Sequence, residues 1–253
     1  MAGLLEGTVA LVTGASSGIG EATAEALAAE GASVAVAARR RDRLEALAGR
    51  IGASASTLVV EADITDEQSA RGAVERTVSE YGRLDVLVNN AGVMLLGPVV
   101  DAPVDEWRRM IDLNLLGLLN CTHAALPYLL KAAESDPRRV ADLVNISSVA
   151  GRVPIKGSGV YNATKFGVGA FSESLRKEVT ARHVRVSLVE PGGVLTELYD
   201  HNRPEMVRGM LKRMSEVQML RAEDVAAAVV FAVTRPRHVA INELLVRATQ
   251  QEL

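Results

Sequence analysis

Short runs of β-branched and other apolar residues recur along the chain, separated by longer stretches with helical character. The runs fall near 8–13, 33–38, 57–61, 85–88, 140–146, 184–190 and 241–246. Strands that alternate with helices in this way predict an α/β fold with a parallel, doubly wound sheet and helices on both faces. Right-handed crossovers place any ligand beyond the carboxyl ends of the strands, where the strand order reverses. The irregular stretches are 134–139 and 193–220. In the second, Met206, Met210, Leu211, Met214, Val217 and Met219 read either as the adaptable inner face of a substrate lid or as one side of an ordinary amphipathic surface helix. The helices near 103–131 and 159–181 are apolar on more than one face, as Val104, Trp107, Ile111, Leu115, Phe166, Val168, Phe171 and Leu175 show, which predicts self-association.

Composition narrows the class. With 253 residues, 48% of them hydrophobic, and a net charge of −3, the chain has material for one sizeable core and predicts a single domain over 1–253. No run reaches the roughly eighteen consecutive apolar residues of a spanning helix, and no basic region precedes an apolar segment at the start, so the expectation is a soluble cytoplasmic protein without a membrane partner. Cys121 is the single cysteine, which leaves no internal disulfide and no Cys/His metal cluster to propose. A mildly acidic balance with 3% aromatic residues offers no stripe for nucleic acid.

Candidate chemistry sits at the strand ends. The strand Val9 to Thr13 runs into Gly14-Ala15-Ser16-Ser17-Gly18-Ile19-Gly20 and then a helix. Glycines there allow a tight turn, a close approach of backbone amides to a pyrophosphate, and helix packing on the sheet. The spacing is Gly-x-x-x-Gly-x-Gly, so the general dinucleotide fingerprint is met only in context. Asn89-Asn90-Ala91-Gly92 and Pro191-Gly192 follow two further strands. Tyr161 and Lys165 are four apart and share a helix face, where an ammonium can favour the phenolate and lower the tyrosine pKa; Ser148 lies thirteen residues before Tyr161. Such a tyrosine can protonate a carbonyl oxygen. At the end of the second strand Ala38 stands where a carboxylate would accept the ribose hydroxyls of NAD, and Arg39-Arg40-Arg41 follows. A guanidinium fork suits a 2′-phosphate, so NADP(H) is expected, with Arg39 as the principal contact and Arg40 or Ser16 assisting; the alternative is a solvated helix start.

Together Thr13-Gly14-x-x-x-Gly18-x-Gly20, Asn89-Asn90-Ala91-Gly92, Asn114, Asn145-Ile146-Ser147-Ser148, Tyr161-x-x-x-Lys165 and Pro191-Gly192 resemble the short-chain dehydrogenase/reductase superfamily, from Gly7 to about Val246. The nearest likeness is to NADP-dependent reductases of the clavulanic acid dehydrogenase type, through Gly92 to Pro98, Ala150 to Val153 and Ala163 to Val168. The resemblance implies a Rossmann-type, seven-stranded, three-layer α/β/α sandwich and a homotetramer built on the helices named above. It also implies a catalytic set of Asn114, Ser148, Tyr161 and Lys165, with Ser148 orienting the carbonyl, Lys165 on the nicotinamide ribose and Asn114 holding a relay water. Cofactor contacts carried over are Gly14, Ser16, Ser17, Gly18, Ile19, Gly20, Asp63 and Ile64 at the adenine, with Asp63 alternatively a plain turn residue, Asn90, Ala91, Gly92, Tyr161, Lys165, Pro191, Gly192 and Val194, with Thr196 on the nicotinamide amide or, in its local role, a helix N-cap. Arg138-Arg139-Val140-Ala141-Asp142 departs from the family pattern, which has a glycine and an uninterrupted apolar entry there.

The functional expectation is an NADPH-dependent carbonyl reductase acting on a small-molecule aldehyde or ketone. The alternatives are a 3-ketoacyl carrier protein reductase and a catalytically idle NADP-binding sensor. Met94, Val149, Val153, Lys156 and Tyr199 are the candidate substrate residues, with Lys156 either an anion-binding group or a solvent-facing lysine. His123 is read as helix packing, His183 and His238 as surface positions, and His201 as a possible substrate contact.

Overall fold

The computed structural model describes residues 3–52, 55–204, 206–208 and 217–252. The lid positions Met210, Leu211 and Met214, with Glu205, lie outside the described residues. The seven strands are β1 (Val9–Thr13), β2 (Ser33–Ala38), β3 (Thr57–Glu61), β4 (Val86–Asn89), β5 (Ala141–Ile146), β6 (Val184–Pro191) and β7 (Glu243–Val246). They form one sheet in the order β3-β2-β1-β4-β5-β6-β7, parallel throughout. This is the Rossmann-type arrangement expected, with its order reversing between β1 and β4.

Alternation along each strand divides the core into two layers. Leu11, Leu87, Leu143 and Val186 point to one face and pack under α3 (Glu67–Tyr81), α5 (Leu118–Ala133) and α6 (Gly159–Val179). Ala10, Val12, Val34, Val36, Val86, Val88 and Val144 point to the other, under α1 (Gly18–Ala29), α2 (Arg41–Ile51) and α7 (Ala222–Val233). Between β4 and α5 a short α4 (Val104–Ile111) passes through a π-helical segment, Asp112–Gly117. The continuous helical run Val104–Ala133 is long and apolar enough, by length and composition, to cross a bilayer. Here Cys121, Ala125, Leu129 and Ala132 bury it against the sheet.

The charged entry to β5 has a physical reason. Asp142 is buried, and Arg185 on β6 grips it through Nε (2.7 Å) and Nη2 (2.9 Å), while Arg138 adds a contact at 2.8 Å. Arg185 also donates through Nη1 to the carbonyls of Arg235 (3.0 Å) and Val239 (2.8 Å), and through Nη2 to Val233 (2.9 Å), so it ties α7 and the following loop to the sheet. At the start of β4, Asp85 is bound by Arg83 and accepts from the Val9 amide at 2.9 Å. Both clamps lie at the amino-terminal edge of the sheet, opposite the strand ends that carry the glycine turn.

Removing one member of a buried, hydrogen-bonded ion pair leaves the other charge desolvated and costs about 3–5 kcal/mol. Arg185→Met is therefore expected to lower the melting temperature by about 6–15 °C, as read by calorimetry, a much larger change than for Arg182→Met in the exposed Arg182–Glu134 pair.

Candidate active site

The end of β1 builds a cradle. Gly14 (φ 65°) and Gly18 (φ 59°) adopt left-handed backbone. A Cβ on Gly14 would stand 2.7 Å from Ala91 Cα, and one on Gly20 would stand 2.4 Å from the Gly14 carbonyl oxygen, so neither site admits a side chain. The turn is sewn to the loop after β4. Thr13 Oγ1 accepts from the amides of Asn90 (3.1 Å) and Ala91 (3.3 Å), while Asn90 Nδ2 donates to the carbonyls of Thr13 (3.0 Å) and Gly14 (3.2 Å). Ser17, at the N-cap of α1, makes no side-chain cap, which leaves the first amides of that helix to an anion. The cradle opens into a cleft of about 320 Å³. Its shape, side-chain-free turn and uncapped helix end fit a dinucleotide.

The cleft gathers most of the expected contacts. Gly14, Ser16, Ser17, Gly18 and Ile19 line it from the turn, Arg39, Arg40, Asp63 and Ile64 from the adjoining strand ends, and Asn90, Ala91, Gly92 and Met94 from the loop after β4. Ser148, Tyr161 and Lys165 stand opposite Pro191, Gly192, Val194, Thr196 and Tyr199. Gly20 lies behind the turn. Thr196 realises its local role, since its Oγ1 accepts from Leu198 N at 3.4 Å and it caps a 3-10 turn, Glu197–Tyr199; its methyl also sits where a Gly18 side chain would fall.

The two arginines divide differently from the sequence expectation. Arg39 is 66% exposed and leans toward Asp63, 3.8 Å away. It is Arg40 that lies over the glycine turn, donating through Nε (3.1 Å) and Nη2 (2.9 Å) to Ser16 Oγ and through Nη2 (2.7 Å) to Ser17 Oγ. The reason is local: Arg40 is the N-cap residue of α2, where the chain turns back toward the cradle.

Strand β5 and helix α6 set the reactive groups. Tyr161 is 6% and Lys165 5% exposed, one helical turn apart on α6. Lys165 Nζ donates to the Ile146 carbonyl at 2.8 Å and lies 5.8 Å from the Tyr161 ring centroid. Ser148 Oγ accepts from Ala150 N at 3.1 Å and faces the same cleft as the Tyr161 phenol. Burial pushes the phenol up to about 12, against a smaller opposing pull from Ser148, and burial pushes the Lys165 amine down to about 8. Burial, rather than the neighbouring amine expected from the helical spacing, is the largest influence on the phenol in this structure, and it acts upward.

Asn114 is buried in the π-helical segment and sits behind the cleft wall. Its Oδ1 accepts from Val93 N (2.7 Å), and its Nδ2 donates to Val93 O (2.8 Å) and Thr164 Oγ1 (3.2 Å). It fixes the loop after β4 against α6. Three substrate candidates fall outside the cleft: Val149 opens a 3-10 turn, and Val153 and Lys156 are exposed on the loop beyond it. Residues that the sequence reading missed are Arg109 and Leu113 on the cleft wall, and Asn202, which follows the cleft-lining His201. Asn202 accepts from Leu96 N (2.7 Å) and donates to Met94 O (2.8 Å), a long-range clamp with no local sequence signal. His201 does line the cleft, beside Arg109 and Arg40, and burial with those two cations lowers its pKa.

A family model described as short chain dehydrogenase matches residues 8–207. The glycine betaine reductase of Emericella nidulans is 40% identical over 99% of this chain, although the chain spans only 19% of the length of that protein. An uncharacterized oxidoreductase of Staphylococcus saprophyticus is 35% identical over 97% of both chains. Among solved structures, the closed form of a serine dehydrogenase complexed with NADP+ superimposes with a TM-score of 0.88, at 33% identity and 97% coverage of each chain. With the glycine cradle, the Ser148, Tyr161 and Lys165 cluster and these likenesses together, the chain belongs to the short chain dehydrogenase family.

Proposed function

We propose that this oxidoreductase is an NADPH-dependent carbonyl reductase, reversibly an alcohol dehydrogenase, acting on a small-molecule aldehyde or ketone. The observation that carries the reading is the convergence of Ser148, Tyr161 and Lys165 at one end of a cleft whose other end holds Arg40 with Ser16 and Ser17. NADP(H) as cofactor is consistent with the likeness to a structure complexed with NADP+ and with Ala38 in place of an acidic residue. When bound, the nicotinamide exchanges hydride with the substrate carbon. Tyr161 supplies the proton to the carbonyl oxygen. Ser148 orients the same oxygen, Lys165 reaches the ribose side of the cleft, and Asn114 holds the loop that carries Gly92 and Val93. Arg40 is assigned the principal 2′-phosphate contact and Arg39 a flanking one. Pocket residues Met94 and Tyr199 border the substrate. Exposed Val104, Ile111, Leu116 and Phe166 support a homotetramer formed by a single-domain protomer.

The direct test is NADPH and NADH consumption against a panel of aldehydes, ketones and ketoacyl thioesters. Turnover with NADPH and a free carbonyl is the expected result, and turnover confined to ketoacyl thioesters would replace the small-molecule reading.

Three outcomes follow from the assigned roles. Tyr161→Phe should lower kcat by about 10²–10⁴-fold, the usual contribution of a positioned acid, while NADPH affinity stays within a few-fold by calorimetry. Loss of a charge-assisted contact costs about 1.5–3 kcal/mol, so Arg40→Gln should weaken NADPH binding by about 10–150-fold and NADH binding far less; Arg39→Gln should have the smaller effect of the two. Lys165 binds its proton less tightly in the folded state, with the pKa lowered from 10.5 to about 8, so its contribution to stability rises with pH through that interval. Any melting-temperature advantage of Lys165→Met should accordingly be largest near pH 7 and shrink by pH 9.5.

A further inference from the structure

Glu197 stands on the 3-10 turn that Thr196 caps, and its carboxylate reaches across the mouth of the cleft. Oε2 accepts from Arg40 Nη1 at 2.8 Å, and Oε1 is ion-paired with Arg43 on the first turn of α2. The same Arg40 holds the hydroxyls of Ser16 and Ser17. Two guanidinium groups beside two hydroxyls make a set that a phosphate monoester takes, and here the guanidinium groups hold a carboxylate supplied by the chain itself, with the hydroxyls on the far side of Arg40. Carboxylate and phosphate present similar oxygen pairs to a guanidinium fork, and two anions cannot share Arg40 without repulsion.

We propose that Glu197 is a displaceable internal stand-in for the 2′-phosphate of NADP(H), and that it tunes discrimination between NADP(H) and NAD(H). The inference rests on the NADPH reading above. The phosphate expels the carboxylate and takes over its place on Arg40, whereas NADH brings only a neutral ribose hydroxyl and leaves the bridge intact. The stand-in is anionic whenever the enzyme works, since Arg40 and Arg43 hold its carboxyl down to about 2. It is also cheap to displace, because Glu197 is 39% exposed and its partners are similarly open to solvent, so each pair is weak. Expulsion releases the turn that carries Thr196 and Tyr199, so phosphate at one end of the cleft is felt by residues at the other.

The test is calorimetric titration of the full chain with NADPH and with NADH at one ionic strength. Two exposed ion pairs of the usual strength predict that Glu197→Gln tightens NADPH about threefold to tenfold and changes NADH less than twofold. Glu197→Ala, which has no polar group to offer the arginines, should show at least the same gain. In an Arg40→Gln background the gain should vanish, because the two anions compete for that side chain. Unchanged or weaker NADPH binding in both Glu197 variants, or equal tightening of both cofactors, overturns the proposal. A wild-type protein without preference for NADPH removes the reading on which the proposal rests; a preference that the Glu197 variants leave untouched sinks the stand-in alone.

Discussion

The seam between the turn after β1 and the loop after β4 is the constraint on which the rest of the site depends. Parallel strands cannot be joined by hairpins, and reversal of strand order beside β1 leaves a crevice with free backbone on both sides. Thr13 and Asn90 close the rear of that crevice by pairing side chain with backbone in both directions. Because those bonds consume the inward-facing groups, the turn is rigid where it meets the loop and free where it meets a ligand. Only glycine fits at 14 and 20 once the two segments are drawn so close. The position of the loop then passes to Val93, from Val93 to Asn114, and from Asn114 to Thr164 on α6, beside Tyr161 and Lys165. A path of loop backbone and hydrogen bonds therefore relates the glycine cradle to the helix turn that carries Tyr161.

A second constraint is the cost of keeping polar groups dry. Tyr161 and Lys165 are buried, and beneath them Asn89 donates to Thr122 and Asn145 while Asn145 donates to Ser172. Buried polar atoms are tolerated when partnered, and this network is nearly complete, although Asn89 Oδ1 has no partner among the described residues. The network runs between β4, β5, α5 and α6, the elements that must keep Ser148 and Tyr161 in register. The same burial raises the phenol pKa and lowers the amine pKa, because each charged form loses its water.

What the sequence made legible was local. The glycine turn, Tyr161 with Lys165, and the apolar strands are each specified by neighbours within a few residues, so spacing alone located them. Contacts that close across the fold left no such mark. Arg138 and Asp142 look like a flaw at the start of β5 until Arg185, on the next strand, is seen to complete the cluster. Arg39 and Arg40 are adjacent in sequence, and only the backbone direction at the start of α2 decides which one turns over Ser16 and Ser17. Lys156 had the right chemistry for an anion but lies on an exposed loop, whereas Arg109, with no motif to recommend it, stands on the cleft wall because α4 points there. The helix 103–131 read as one element; its π-helical interruption carries Asn114, which bonds a loop twenty-one residues away, a distance over which periodicity carries no information.

The segment from Gly193 to Asn202 shows why a cleft closed by its own chain can still exchange ligands. Its base is joined to Leu220 by backbone bonds, Leu195 N to Leu220 O at 2.9 Å and Leu220 N to Gly193 O at 3.0 Å. Its far end is clamped by Asn202 to Met94 and Leu96 through partly buried hydrogen bonds. Between these fixed points Glu197 pairs with the solvent-exposed Arg40 and Arg43 across the cleft mouth. Exposed ion pairs are worth little, and partly buried backbone bonds are costly to leave unmade. Any local rearrangement that admits a phosphate therefore begins at Glu197, with Leu220 and Asn202 acting as its stops. Strength at the two ends and weakness in the middle confine that movement to the turn bearing Thr196 and Tyr199, which lines the cleft.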